Sequence, residues 1–332
     1  MVSIKDIAKR VGMSPSTISR VVNGKKYVNA EKREEILRLI AETGYVPNKA
    51  ARDMVLKRTF TVGIVIPDTF NMFQRQLFSL IERHLGAFGY QTLFFFVKFE
   101  GSSEDECLNR LKAAKLDGVI MLHEIKSLHF YDYLKHIKMP TVLATFEKAD
   151  KQIPSIHVDE VQAAFDAVLH LTNLGHKRID MISGEPFSFG KQRTAGYYRA
   201  LDDANIPHAS GRVVFAKTYS MEAGVYAMRE LLLRDRGFTA VFAATDELAI
   251  GAIRVLKDEG IRVPEDVSVL GFDDIDISSY IVPRLTTVRQ PLAEIGERTA
   301  TLLHKCITDD KIADSNIVLP YELIIRESTN RV

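Results

Sequence analysis

From residue 61 onward, short and wholly apolar runs alternate with longer stretches of helical period. TVGIVIP, YQTLFFF, GVIML and PTVLA come first, and KRIDMIS, RVVF, TAVFAA and VSVLGF follow. Between them, residues 74–88, 159–174, 221–233 and 247–258 repeat apolar positions every three or four residues, as one-sided helices do. Runs without polar alternation predict strands buried on both faces, which means parallel sheets covered by helices. Two successive sets predict an α/β body of two doubly wound parallel-sheet lobes.

The first 58 residues have a different rhythm. Ser3 and Asp6 have the spacing of a capping box, and Ile7, Ala8 and Val11 form the apolar side of the helix it starts. Gly12 supplies the stop. Ser14 then reads as an N-cap, with Pro15 at the first helical position, where its missing N–H costs nothing. Ile18, Val21 and Val22 make one stripe, and Ser16, Ser19, Arg20 and Asn23 lie away from its centre. Asn29 caps a third helix with Ile36, Leu37 and Ile40 inward, ending at Gly44. This outline predicts a helix-turn-helix head. A plain three-helix bundle would use the same caps, but the second helix is too short and too polar outside to serve packing alone. Small hydroxyl side chains admit close approach to a groove, and an arginine can grip guanine through two hydrogen bonds.

Composition sharpens this division. Residues 1–58 hold 13 Lys and Arg against 6 Asp and Glu, a balance of +7, while residues 59–332 hold 31 against 37, or −6. A basic head on a mildly acidic body suits a polyanion partner for the head. Length of 332 residues, 46% apolar and 26% charged content predict a soluble protein of more than one domain. No apolar run is long enough to cross a membrane, and the charged, helical N-terminus is not a signal peptide, so a cytoplasmic location and no membrane partner are expected. Cys107 and Cys306, far apart in helical contexts, are expected to be buried free thiols.

In doubly wound lobes, ligands sit beyond the carboxyl ends of the strands. Those positions are residues 68–74, with Asp68, Asn71, Phe73 and Gln74, then His123, residues 185–193 with Lys191 and Arg193, Tyr219, Thr245 and Asp246, and Phe272 and Asp273. Carboxylates, amides, cations and flat rings together suit a polyol, whose hydroxyls pair with the polar groups while rings cover its apolar faces. Asp246 also fits an N-cap reading, Lys191 and Arg193 a solvated surface, and His123 a surface histidine. Adjacent carboxylates after a buried strand, as at Asp273, are costly without partners.

SIKDIAKRVGMSPSTISRVVNG followed by GYVPNKAARDM resembles the DNA-binding head of the lactose-repressor (LacI/GalR) family, and both pieces fall at family spacing. The resemblance implies that Ser14, Pro15, Ser16, Thr17, Ser19 and Arg20 form the recognition face and that Ser3, Asn23 and Tyr45 contact phosphate. It makes residues 47–58 a hinge helix formed on operator DNA, with Asn48 and Ala51 facing DNA and Met54 where the family wedges a leucine into the minor groove. Pro15 and Ser16 replace larger base-reading side chains, which shifts readout toward Arg20 and DNA shape.

PDTFNMF, LGHKRIDMISG, TDELAIGAIRVLKDEGIRVPEDVSVLGFDD and LTTVRQPLAEIG extend the resemblance through the body, which is similar to periplasmic sugar-binding proteins. It implies a head at 1–46, a hinge at 47–58 and a body at 59–332. The N-lobe is expected at about 59–158 plus 290–318, and the C-lobe at about 159–289 plus 319–332, with crossings near Val158, Gln290 and Leu319. Phe73, Arg193, Tyr219, Asp246 and Asp273 fall on the family's effector positions. Lys191 stands where many sugar-responsive members carry arginine, and NMF with Gln74 replaces NPFF. No leucine heptad follows, so a homodimer rather than a tetramer is expected.

The expectation is therefore a repressor of a carbohydrate-utilisation operon, binding palindromic double-stranded operator DNA as a homodimer and answering a sugar or sugar derivative. A solute-binding protein and a sugar-processing enzyme share the two-lobe fold. The first lacks a use for residues 1–58. For the second, GxGxxG, GxxxxGK[ST], GxSxG and His/Cys metal spacings are all missing from the sequence, so no enzyme activity, cofactor or metal is expected.

Overall fold

The computed structural model describes residues 2–22, 28–45, 58–68, 71–98, 103–147, 153–184, 188–207, 211–309 and 316–332. The chain forms two compact units, Met1–Thr59 and Phe60–Val332.

In the first unit, α1 (Ile4–Val11), α2 (Pro15–Val22) and α3 (Ala30–Thr43) follow the caps written in the sequence. The Ser3 hydroxyl accepts from the Asp6 N–H, while the Asp6 carboxylate accepts from the Ser3 N–H at 2.9 Å. Gly12, at φ 69°, ends α1 in the left-handed conformation that glycine tolerates best. Ile7, Ala8, Val11, Ile18, Val21 and Ile36 close the core, with Val22, Leu39 and Ile40 at its edge. Leu37 does not turn inward as expected: it is 45% exposed. Each residue advances about 100° around a helix, so with Ile36 and Ile40 on the buried side, Leu39 completes the stripe and Leu37 falls off it.

The second unit holds two six-stranded sheets. The first comprises β1 (Thr61–Pro67), β2 (Gln91–Val97), β3 (Gly118–Met121), β4 (Thr141–Ala144), β5 (Ser155–Val158) and β11 (Asn316–Leu319), in the order β11-β5-β4-β3-β1-β2. The second comprises β6 (Ile179–Gly184), β7 (Val213–Ala216), β8 (Ala240–Ala243), β9 (Ser268–Asp273), β10 (Thr286–Arg289) and β12 (Glu322–Ile324), in the order β12-β10-β9-β8-β6-β7. Every pairing is parallel except β10 with β12.

The apolar runs follow from coverage on both faces. On β1, Val62, Ile64 and Ile66 pack with Leu77, Ile81 and Leu85 of α4 (Met72–Ala87) and Ile295 and Leu303 of α11 (Leu292–Thr308). Val65 packs on the other side with Leu108 of α5 (Ser103–Ala113) and Phe130 of α6 (Leu128–His136). The second sheet is sandwiched by α7 (Glu160–Asn173), α8 (Ser188–Asp203), α9 (Met221–Arg234) and α10 (Asp246–Asp258). The exception is β2. At the sheet edge it pairs only with β1, and it leaves Leu93 at 46%, Phe94 at 37% and Phe96 at 47% exposed.

The chain passes between sheets after β5, after β10 and after β11. Cys107 is buried and Cys306 half-buried, so the expectation of two buried thiols holds only for Cys107. No helix among the described residues is long and apolar enough to cross a membrane.

Helices α7 and α8 approach most closely at Gly196, where an added Cβ would collide with the Val161 carbonyl oxygen and come within 2.8 Å of the Ala164 Cβ. Gly196→Ala is therefore expected to destabilise the body by about 1–3 kcal/mol, read from the midpoint of chemical denaturation. An unchanged midpoint would show that the two helices can separate freely.

Candidate functional site

In the head, α2 turns Pro15, Ser16 and Arg20 to solvent, while Thr17 and Ser19 are half-buried. Ser14 is exposed, but its hydroxyl accepts from the Thr17 N–H at 3.2 Å and lies 2.7 Å from Ser16 Oγ and 2.8 Å from Thr17 Oγ1. The hydroxyl cluster thus starts the helix as well as coating its outer face. Ser3 is exposed at the start of α1, and half-buried Tyr45 packs against the head core. Asn23, Asn48, Ala51 and Met54 lie outside the described residues.

In the body, the carboxyl ends of the two sheets face one cleft. Its N-lobe wall holds Asn71, Phe73, Gln74, Leu122, Glu124, Thr145 and Phe146; its C-lobe wall holds Glu160, Ser188, Phe189, Arg193 and Asp273, with Gln290 at the crossing after β10. Asn71 and Gln74 are a capping pair: the Asn71 side chain accepts from the Gln74 N–H at 2.9 Å, and Gln74 Oε1 accepts from the Asn71 N–H at 3.2 Å. The cap starts α4 at Met72, so both amides point along the cleft edge. The enclosed space is small, about 40 Å³, room for roughly three waters.

Arg193 organises the C-lobe wall. It is 3% exposed; Nε donates to Glu160 Oε2 at 2.7 Å and Nη2 to Glu160 Oε1 at 3.2 Å, while Nη1 donates to the Ala244 carbonyl. Nη2 also lies 3.3 Å from Asp273 Oδ1, and the guanidinium sits 3.6 Å from the Phe272 ring centre. Burial works against the arginine charge, but Glu160 and Asp273 outweigh it and hold the pKa above its ordinary value. Burial pushes Asp273 well above the carboxylate range; Arg193 opposes this, and Asp246 and Glu160 add to it. Asp273 also has φ 118°, a strained value for a residue with a side chain. Its neighbour Asp274 anchors the bend by accepting from Arg289 at 2.7 Å and Arg326 at 2.6 Å. Both adjacent carboxylates therefore have the partners their burial demands.

Of the ten body positions singled out from sequence, Asn71, Phe73, Gln74, Arg193 and Asp273 line the cleft, and five do not. Asp68 follows β1 into solvent, its N–H held by the Val97 carbonyl. Lys191, two residues before Arg193, falls on the solvent side of α8 and is exposed. His123 is buried rather than on the surface, and burial lowers its pKa to about 4. Tyr219 stands behind the wall: its hydroxyl donates to the Gly184 carbonyl at 2.7 Å, and its ring lies 4.7 Å from that of Phe189. Asp246 is fully buried and accepts from the Ile275 N–H at 2.9 Å, Ser278 Oγ at 2.6 Å and Thr287 Oγ1. The N-cap of α10 is Thr245, not Asp246.

Sequence reasoning missed Leu122, Glu124, Thr145, Phe146 and Glu160. Thr145 and Phe146 stand at a strand end by the same rule that found Asp273, since PTVLA stops just before them. Glu160 had no such signal, because Ser155 and His157 break the apolar run of β5.

Residues 3–48 match the family described as bacterial regulatory proteins, lacI family, and residues 168–329 match a periplasmic binding protein-like domain. Catabolite control protein A of Priestia megaterium is 36% identical over 331 residues, 99% of each chain. The chain belongs to the lacI family of bacterial regulatory proteins. Among solved structures, the Lac repressor dimer bound to operator and the anti-inducer ONPF superposes with a TM-score of 0.87 at 25% identity, covering 99% of both chains. The complex of the regulator CelR with cellobiose gives 0.75 at 30% identity, covering 99% of this chain and 100% of that one. The lacI-type head and two-lobed periplasmic-binding-protein-like body are thus shared along the full length of these proteins.

In this lacI-family chain Asp246 supports the cleft from behind, and burial raises its pKa from 3.8 to about 6 despite three stabilising hydrogen bonds. A folded value above the unfolded one means the associated stability is fully present below pH 3.8 and is lost as pH rises through about 6. Asp246→Asn, which does not titrate, should remove that dependence. The urea midpoint of the natural protein should fall relative to the variant's across this window, and parallel curves would refute the assignment.

Proposed function

We propose that this chain is a transcriptional repressor that binds operator DNA through α2 and releases or tightens its hold when a sugar or sugar derivative enters the cleft. The observation that carries the reading is the joining, in one chain, of a helix-turn-helix head that exposes Ser16 and Arg20 with a two-lobed body whose cleft mixes amides, carboxylates and rings. The names of its relatives support it: a ribose operon repressor of Haemophilus influenzae is 29% identical over 332 residues, and one solved relative holds cellobiose and another operator DNA. These relatives are named as regulators, which favours a binding role over catalysis.

The finer picture is a homodimer on a palindrome, with one head per half-site and the hinge segments, Met54 included, meeting at its centre. The exposed Phe94 and Phe96 on one face of edge strand β2, and Leu93 on the other, support self-association, as do exposed Tyr280 and Val282 on the other lobe. Asn71, Phe73, Gln74, Arg193 and Asp273 are the effector-contact residues of this reading, with Tyr219 and Asp246 acting from behind them. A cleft this narrow must open or rearrange to admit a sugar, and the changed angle between lobes would alter hinge spacing. Coupling of this kind is typically about 1–3 kcal/mol. The genes controlled would serve carbohydrate use, and the work would be done in the cytoplasm.

Arg20→Ala should weaken operator binding by about 1–3 kcal/mol and relax base preference at one position of each half-site, measured by fluorescence anisotropy. Affinity of the natural protein should also fall steeply with added salt, and a flat salt response would sink the reading. Met54→Ala should weaken operator binding while leaving effector affinity unchanged. Phe94→Asp should shift the sedimentation profile from dimer to monomer and lower operator affinity with it.

A further inference from the structure

The walls of the cleft do not balance in charge or in hydrogen-bonding capacity. Among the described residues that line it, Glu124, Glu160 and Asp273 face the cleft against one cation, Arg193. Arg193 is already held by the protein through Glu160, Asp273, the Ala244 carbonyl and the Phe272 ring. Gln290, 3% exposed, donates through Nε2 to Asp273 Oδ1 at 2.9 Å, and its Oε1 has no hydrogen-bond partner. A buried acceptor without a donor is costly, so a donor from the ligand is what this position lacks. Phe73, Phe146 and Phe189 line the same space, and ring faces attract cations.

We infer that the effector of this cleft carries a positively charged amino group, so that an amino sugar binds better than its neutral parent. An ammonium supplies three donors and one positive charge at once, against the single donor of a hydroxyl. It can meet Gln290 Oε1 and the Asp273 carboxylate together while resting against a ring. A metal ion fits less well, since no three His, Cys, Asp or Glu side chains converge as ligands among the described residues.

This inference rests on the cleft being the effector site. The test is calorimetric titration of the full chain with glucosamine, galactosamine and mannosamine, their neutral parents and their N-acetyl derivatives. At least one amino sugar should bind about tenfold or more tightly than its parent, with N-acetylation removing the advantage and Glu124→Gln reducing it. Neutral hexoses binding as tightly as amino ones would overturn the inference and leave the sugar-responsive reading standing. Absence of binding by every sugar in the set would overturn both.

Discussion

A guanidinium held out of water at Arg193 obliges the protein to surround it with acceptors, and the C-lobe half of the cleft is the result. Removing one partner from a buried ion pair costs far more than the pair contributes, so the elements that carry those partners must arrive together. Glu160 comes from the first turn of α7, directly after the first crossing between lobes. Ala244 comes from the end of β8 and Asp273 from the end of β9. One charge thereby fixes a helix start and two strand ends in mutual register. Phe189, one helical turn before Arg193 on α8, lies with its ring 4.8 Å from the same guanidinium.

The N-lobe wall is built differently. Its polar groups come from a helix cap at Asn71 and Gln74 and from the loops after β3 and β4, and none of these described residues forms a buried ion pair. A hydrogen bond joins the two walls: the Met72 N–H donates to Glu247 Oε2 at 3.0 Å, placing a carboxylate from the start of α10 at the start of α4. An anion at a helix N-terminus is favourable, and burial raises the pKa of Glu247 against that hydrogen bond and nearby Arg75. Beside it, Ile275, Ile250 and Ile277 of the C-lobe pack against the N-lobe core. The C-lobe wall is thus organised around one buried charge, and the N-lobe wall around a helix cap and two loops.

Much of this was legible in the residues themselves. The caps at Ser3, Ser14, Asn29 and Gly44 have local causes, so they could be read without tertiary knowledge. The apolar runs announced parallel sheets, because a strand covered on both faces has no position for a polar residue. β2 departs from this: YQTLFFF reads as covered, yet at the sheet edge Leu93, Phe94 and Phe96 stay exposed. At the cleft, the rule that ligands lie past strand ends located the region but not the facing of each side chain. Lys191 and Arg193 differ by two positions on one helix, and that separation sends one to solvent and the other to the centre. Asp246 was drawn in by its place after a strand, whereas the hydroxyls of Ser278 and Thr287 that claim it come from 32 and 41 residues away. No local pattern encodes such partners.

The three passages of the chain between the sheets make the body a hinge with three leaves. A single connection would let one lobe swing and twist in any direction, and two would still allow shear. Three, at residues 158–160, 289–292 and 319–322, tie the two sheets together at separate points along the chain. A cut in any one of them leaves the lobes tied by two others.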